Sequence, residues 1–172
     1  LKGKTILVAD TNVQDFPSPE RLVKVSKSCV RVARLFGFDP KVAFLSHSTF
    51  GKPISKNTKH VRDAIELLKN EKVDFDFDGE MQPDVALNPI YQEIYPFSKI
   101  VGNANILIMP ALHSAAISTK LMKVLGGGKL IGPLLIGLGS PIEVAPLRAS
   151  TSEILNLASI AAYSSDVIDY SK

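Results

Sequence analysis

The residues best placed by type and spacing to do chemistry form two short stretches. The first is Ser46 to Gly51 (SHSTFG), in which Ser46, Ser48 and Thr49 offer hydroxyls and Gly51 a flexible backbone directly after an apolar run. Hydroxyls and backbone N–H groups at such a loop can cradle a phosphate or a carboxylate. A polar loop ahead of a helix is the plainer reading of the same pattern. The second stretch is Asp74 to Glu80 (DFDFDGE), where acids alternate with aromatic residues as on a strand with one polar face. It places Asp78 and Glu80 at the carboxyl end of that strand, where a carboxylate pair could do acid–base work or bind a cation. A charged strand end with a glycine turn is the commoner explanation.

Other candidates carry less. Gly126 to Lys129 (GGGK) fails as a phosphate loop, because Leu130 follows where Ser or Thr is needed and the glycines close a helical pattern rather than open one. A helix C-cap and turn is expected there. His47, His60 and His113 lie far apart with no metal-ligand spacing, and no metal site is expected. Cys29 is the only cysteine, sits on the apolar face of a helical pattern, and reads as core.

The elements that must position these residues alternate strand and helix. Strand-like runs are Thr5 to Asp10, Lys41 to Ser46, Val73 to Phe77, Asn105 to Met109, Ile131 to Leu138 and Ile142 to Ala145. Helical periodicity covers Pro19 to Phe36, with Ser18 as N-cap and Gly37 as stop, and Thr58 to Asn70. It continues over a short piece within Pro83 to Tyr95, over Leu112 to Leu125, and over Thr151 to Ile168, with Thr151 as the expected cap. This order predicts an α/β fold with a mostly parallel sheet and helices on both faces. The loops at the carboxyl ends of the strands, including Asp10–Pro19, His47–Asn57, Asp78–Pro83, Pro110–His113 and Gly139–Pro141, are then the expected ligand edge.

Composition narrows the function classes. Of 172 residues, 45% are hydrophobic and 22% charged, enough for a sizeable core. No apolar run is long enough for a membrane span, because Gly132, Pro133 and Gly137 interrupt the longest. The net charge of +3 is spread over scattered lysines that no aromatic residues interleave, which argues against nucleic-acid binding. A lone cysteine fits a reducing cytoplasm. The chain opens on Leu1, with no secretory pattern, and is expected to be part of a longer polypeptide.

Four segments, in this order and spacing, carry a resemblance. They are SHSTFG at Ser46 to Gly51, FDGEMQ at Phe77 to Gln82, NANILIMP at Asn103 to Pro110, and GGGKLIGPLLIG at Gly126 to Gly137 with Pro141 after it. The chain resembles the phosphate acetyl/butyryltransferase family over nearly its whole length. The resemblance implies the second of two α/β lobes, plus a closing C-terminal helix, from a domain whose active site lies in the cleft between lobes. It also implies acetyl-CoA or CoA as ligand. Ser46, Ser48, Thr49, Gly51, Asp78 and Glu80 are the expected ligand-binding residues.

The departures are as informative. Working transferases carry a Ser-Arg pair and then an acid at the start of the last helix. Aligned without gaps from Gly132, the pair falls on Pro146 and Leu147, and the acid falls on Glu153. Leu147 cannot give a phosphate the bidentate bonds of a guanidinium. Arg148 lies one residue along, and Ala116 stands where the family usually has Asn. Arg148, holding the anion, and Glu153, taking the thiol proton, are the catalytic candidates if the transferase is active. The wording LSHSTFG, DGEMQ and LIMP is most similar to the transferase-like domain fused to bacterial NADP-dependent malic enzymes. That likeness implies a non-catalytic module, regulated by acetyl-CoA and forming a homo-oligomer of at least two copies. Malate oxidation, with its NADP and divalent metal, would then belong to an upstream catalytic domain of the same parent chain.

Overall fold

In the computed structural model, which describes residues 4–9, 14–126 and 129–167, strands and helices alternate as the pattern requires. The chain divides into two compact units, 1–126 and 127–172.

The first unit is built on four parallel strands in the order β1-β4-β2-β3. These are β1 (Leu7–Ala9), β2 (Lys41–Leu45), β3 (Asp76–Met81) and β4 (Ile106–Ile108). Apart from Lys41 at the start of β2, the central strands β4 and β2 are apolar because both faces are covered. Val42, Phe44, Ile106 and Ile108 pack with α1 (Pro19–Leu35) and α2 (Lys59–Asn70). Ala43, Leu45 and Leu107 face the opposite cluster, which contains Ala86 of α3 (Pro83–Leu87) and Ala115 of α4 (Leu112–Leu125). Alternation along a strand thus sends successive side chains into two separate cores. Fully buried side chains such as Phe44, Leu22, Leu68 and Ile106 each contribute about 1.5–3 kcal/mol by leaving water.

The helix limits follow from local chemistry. Ser18 accepts a hydrogen bond from the Arg21 N–H at 3.3 Å, and Pro19 occupies the first turn, where its missing N–H costs nothing. Gly37 has φ +78°, and the Phe38 N–H reaches back to the Ala33 carbonyl at 2.9 Å, a C-terminal closure that needs a left-handed residue. On α2, Val61, Ala64, Ile65 and Leu68 are buried at i, i+3, i+4 and i+7. Arg34 of α1 pairs with Asp74 at 3.0 Å just before β3, and this bond holds the Asp74 carboxyl below its ordinary range.

Three expectations need correction. β3 runs over Asp76–Met81 rather than Val73 to Phe77. Pairing with β2, from Lys41 opposite Asp76 to Leu45 opposite Met81, decided the strand limits, and the aromatic alternation did not. Ile131 to Leu138 and Ile142 to Ala145 form no strands. Pro133 and Pro141 have no N–H for a ladder, and Gly132 (φ +127°) and Gly137 (φ +84°) turn the chain out of extended geometry. Finally, Ser150 rather than Thr151 caps α5 (Thr151–Val167), the helix of the second unit. Asp10 and the middle glycines of GGGK, Gly127 and Gly128, lie outside the described residues. No helix among the described residues is long and apolar enough to cross a membrane.

Candidate functional site

At the carboxyl edge of the sheet, β2 ends at Leu45 and the chain enters the Ser46–Gly51 loop. Ser46 N–H donates to the Met81 carbonyl at 3.0 Å, which pins the loop's first residue to the end of β3. Glu80, 1% exposed, lies beneath the loop and organises it. Its Oε1 accepts from Ser48 Oγ at 3.0 Å and from the Gly51 N–H at 2.9 Å, and its backbone carbonyl accepts from the Phe50 N–H at 2.7 Å. Arg62 of α2 approaches the same Oε1 at 3.4 Å, so the carboxylate is paired as well as hydrogen-bonded. Arg62 also donates to Thr58 Oγ1, and to the Ser55 carbonyl at 3.0 Å. Ser46 Oγ stands 3.3 Å from Ser48 Oγ, and Thr49 and Lys52 exchange backbone bonds at 3.0 and 3.1 Å. Gln82 adds two ties, from its N–H to Thr49 Oγ1 at 3.2 Å and from Nε2 to the His47 carbonyl at 2.6 Å.

The structure therefore brings Ser46, Ser48, Thr49, Gly51 and Glu80 together, but turns the loop's donors toward the protein's own carboxylate. Asp78 stands apart: it accepts from the Lys99 N–H at 2.7 Å and the Gly79 N–H at 2.9 Å. The cluster fixes one loop conformation at the carboxyl edge of the sheet, since a buried carboxylate is tolerable only with its lone pairs satisfied. Gly79 makes the arrangement possible. Its φ is +145°, and a Cβ there would lie 2.7 Å from the Phe44 carbonyl oxygen.

The three histidines do not converge. His47 and His113 are exposed. His60 stacks against Phe16, with ring centroids 4.3 Å apart, and its Nε2 lies 2.9 Å from the Pro110 carbonyl, to which it donates. Among the described residues, no group of three or more His, Cys, Asp or Glu side chains is placed to hold a metal ion. Cys29 is buried in the core.

The second unit holds the other candidates. Glu153 Oε2 accepts from the Ser150 N–H at 2.8 Å and from Ser150 Oγ at 2.9 Å, while Ser150 Oγ accepts from the Glu153 N–H at 3.3 Å. This reciprocal pair is a capping box that starts α5. Arg148 is exposed in the turn ahead of it, and Leu147 beside it is fully exposed. Glu143 accepts from the Leu135 N–H at 3.2 Å; burial pushes its carboxyl above the ordinary value, and that hydrogen bond works the other way. A small pocket with room for about one water-sized group lies between Leu130, Ile131 and Pro146 on one side and Glu153, Asn156 and Leu157 of α5 on the other.

Arg62, Gln82 and Asn156 are polar contributors that reasoning from the sequence did not single out for a site. Gln82 follows directly on the FDGEM strand, so its position carried a signal. Arg62 and Asn156 sit in helical stretches where only packing reveals which way they face.

Comparison with known proteins places these features in context. The profile of the phosphate acetyl/butaryl transferase family matches residues 1–162. The chain is 48% identical over 162 residues to the NADP-dependent malic enzyme of Rhizobium meliloti (strain 1021), covering 94% of this chain and 21% of that enzyme. It is 32% identical over 155 residues to the phosphate acetyltransferase of Bacillus subtilis (strain 168), covering 90% of this chain and 48% of that protein. The crystal structure of a phosphotransacetylase from Streptococcus pyogenes superimposes with a TM-score of 0.89 at 32% identity, over 96% of this chain and 50% of that one. The chain thus spans about a fifth of the malic enzyme and about half of the transferases it matches.

Proposed function

The chain belongs to the phosphate acetyl/butaryl transferase family, and from that premise we propose that it is a non-catalytic module of an NADP-dependent malic enzyme, binding acetyl-CoA as a regulator and assembling the enzyme into a homo-oligomer. Malate oxidation to pyruvate and CO2, with its NADP and divalent metal, belongs to an upstream domain outside this chain. The setting is the cytoplasm, in keeping with a chain that has a single cysteine, buried in its core.

One observation carries the reading. The positions that the resemblance assigns to the anion-holding Ser-Arg pair are Pro146 and a fully exposed Leu147, neither of which can hold a phosphate. The Glu153 carboxylate, the candidate thiol base, accepts two hydrogen bonds within its own capping box. A protein that keeps the fold and loses the anion site retains a use for its thioester ligand as a signal, through differential binding to two states of the parent.

The test is made on the full-length polypeptide that carries this chain. NADP-dependent malate oxidation should change when acetyl-CoA is added, and acetyl-CoA with phosphate should yield no acetyl phosphate. Robust acetyl phosphate formation, abolished by Arg148→Ala, would instead establish an active transferase with Arg148 and Glu153 at its centre. Arg148 is solvent-exposed one residue from the family position, and this favours keeping that second reading in the test.

A further inference from the structure

Helix α4 is apolar on the side turned away from the sheet. Among its described residues Ala115 alone is buried, in the apolar cluster that contains Leu107 and Met109. Ile117 follows two residues later, about 200° round a helix of 3.6 residues per turn, and so points the opposite way. Leu121, Val124 and Leu125 continue from Ile117 at i+4, i+7 and i+8, which makes one stripe along the helix. All four are exposed, from 52% for Leu121 to 78% for Val124. A surface helix normally carries polar residues on that side, and a helix apolar on both sides is a buried one. The stripe amounts to roughly 500 Å² of apolar surface, the size at which such a patch marks an interaction site.

The composition of the stripe selects its partner. Contacts between domains of one chain are comparatively polar, whereas an obligate homodimer interface resembles a protein core cut in half. No charged residue interrupts the stripe; Lys120 borders it, where its stem can cover the rim and leave the ammonium in water. Two copies of the stripe together remove about 1,000 Å² from water, the lower bound for a stable association, and flanking contacts add to it. Ile117 and Leu125 lie four residues either side of Leu121, so an antiparallel pair of these helices centred on Leu121 is self-complementary. We propose that α4 is a two-fold interface between two copies of this chain, with Leu121 beside the axis and Ile117 of each copy packed against Leu125 of the other. The inference rests on the reading above that the parent is a homo-oligomer, and it adds which surface makes the contact and with what symmetry.

The experiment is light scattering after size-exclusion chromatography of the full-length polypeptide, wild type and Leu121→Glu. Two glutamates brought together at the axis with no countercharge oppose association. In a closed assembly the loss of one two-fold contact halves the particle, so the variant should run at half the wild-type mass with an unchanged circular-dichroism spectrum. Should the glutamate disturb folding, Leu121→Cys treated with a short bismaleimide decides the matter: a band of double mass, absent from the treated wild type, is expected on a denaturing gel. A folded Leu121→Glu variant of wild-type mass, or a Leu121→Cys variant that gives no such band, overturns the proposal and leaves the homo-oligomer reading standing. A lowered melting temperature with the mass unchanged also overturns it, because the stripe is then covered by another part of the same polypeptide. A wild type that is monomeric at micromolar concentration removes both.

Discussion

Replacing Glu80 by Ala tests the core of the structural argument. The carboxylate is 1% exposed and accepts from Ser48 Oγ at 3.0 Å and the Gly51 N–H at 2.9 Å, with the Arg62 guanidinium at 3.4 Å. Hydrogen bonds to a charged group contribute about 1.5–3 kcal/mol each, and breaking a buried pair costs about 3–5 kcal/mol. These figures overlap and are not summed. The Arg62 side chain is 33% exposed and keeps its bonds to Thr58 and Ser55, which lowers its share of the cost. The expected loss is therefore near the bottom of the range, about 3 kcal/mol, or roughly 10 °C in melting temperature for a chain of this size. Circular-dichroism melts and urea titrations of the whole chain measure it. Amide exchange then separates this mechanism from general loosening. The Gly51 amide, bonded to the side chain, should lose protection, while the Phe50 amide, bonded to the Glu80 backbone carbonyl at 2.7 Å, should keep it. A loss below about 1 kcal/mol, or equal deprotection of both amides, would refute the account of Glu80 as the loop's organiser.

Three further outcomes follow from the same geometry. Gly79→Ala sets a Cβ 2.7 Å from the Phe44 carbonyl oxygen at φ +145°, and should lower the urea midpoint by the equivalent of about 2–5 kcal/mol; a neutral substitution would show that β2 and β3 can part without cost. Ser150→Ala removes the hydroxyl of the α5 capping box and should cost about 1 kcal/mol, seen as faster amide exchange in the first turn of that helix; unchanged exchange there would count against the cap. Glu143 has its folded-state pKa raised by burial, so the stability it contributes is present below the unfolded value of about 4.5 and is lost as pH rises through the folded value. Glu143→Gln should accordingly raise the melting temperature more at pH 7 than at pH 4, and an equal change at both would contradict the burial argument.

Much of the fold was legible in the residues because short-range chemistry dictates it. Ser18 before Pro19 set the start of α1, Gly37 set its end, and the helical spacing of Val61, Ile65 and Leu68 set the buried face of α2, which Ala64 completes. The apolar runs within Leu7–Ala9, Val42–Leu45 and Ile106–Ile108 marked three of the four strands, since a strand buried on both faces is apolar along most of its length. The family resemblance, too, needed only residue order and spacing.

What the tertiary structure decided were the matters that depend on partners distant in sequence. Phe75 and Phe77 alternate as a strand would, yet β3 begins at Asp76, because the β2 register fixes which residues pair. Ile131 to Leu138 has strand composition, but strand formation needs a neighbouring ladder and free N–H groups, and Pro133 with two positive-φ glycines denies the second. Glu80 read as a charged strand end is instead nearly inaccessible, since whether a carboxylate is buried depends on the Arg62, Ser48 and Gly51 donors that meet it across 18 to 32 residues of chain. Asn156 carried no signal at all in one dimension. The sequence states which hydrogen-bonding groups a protein has, and only packing determines which of them remain without a partner.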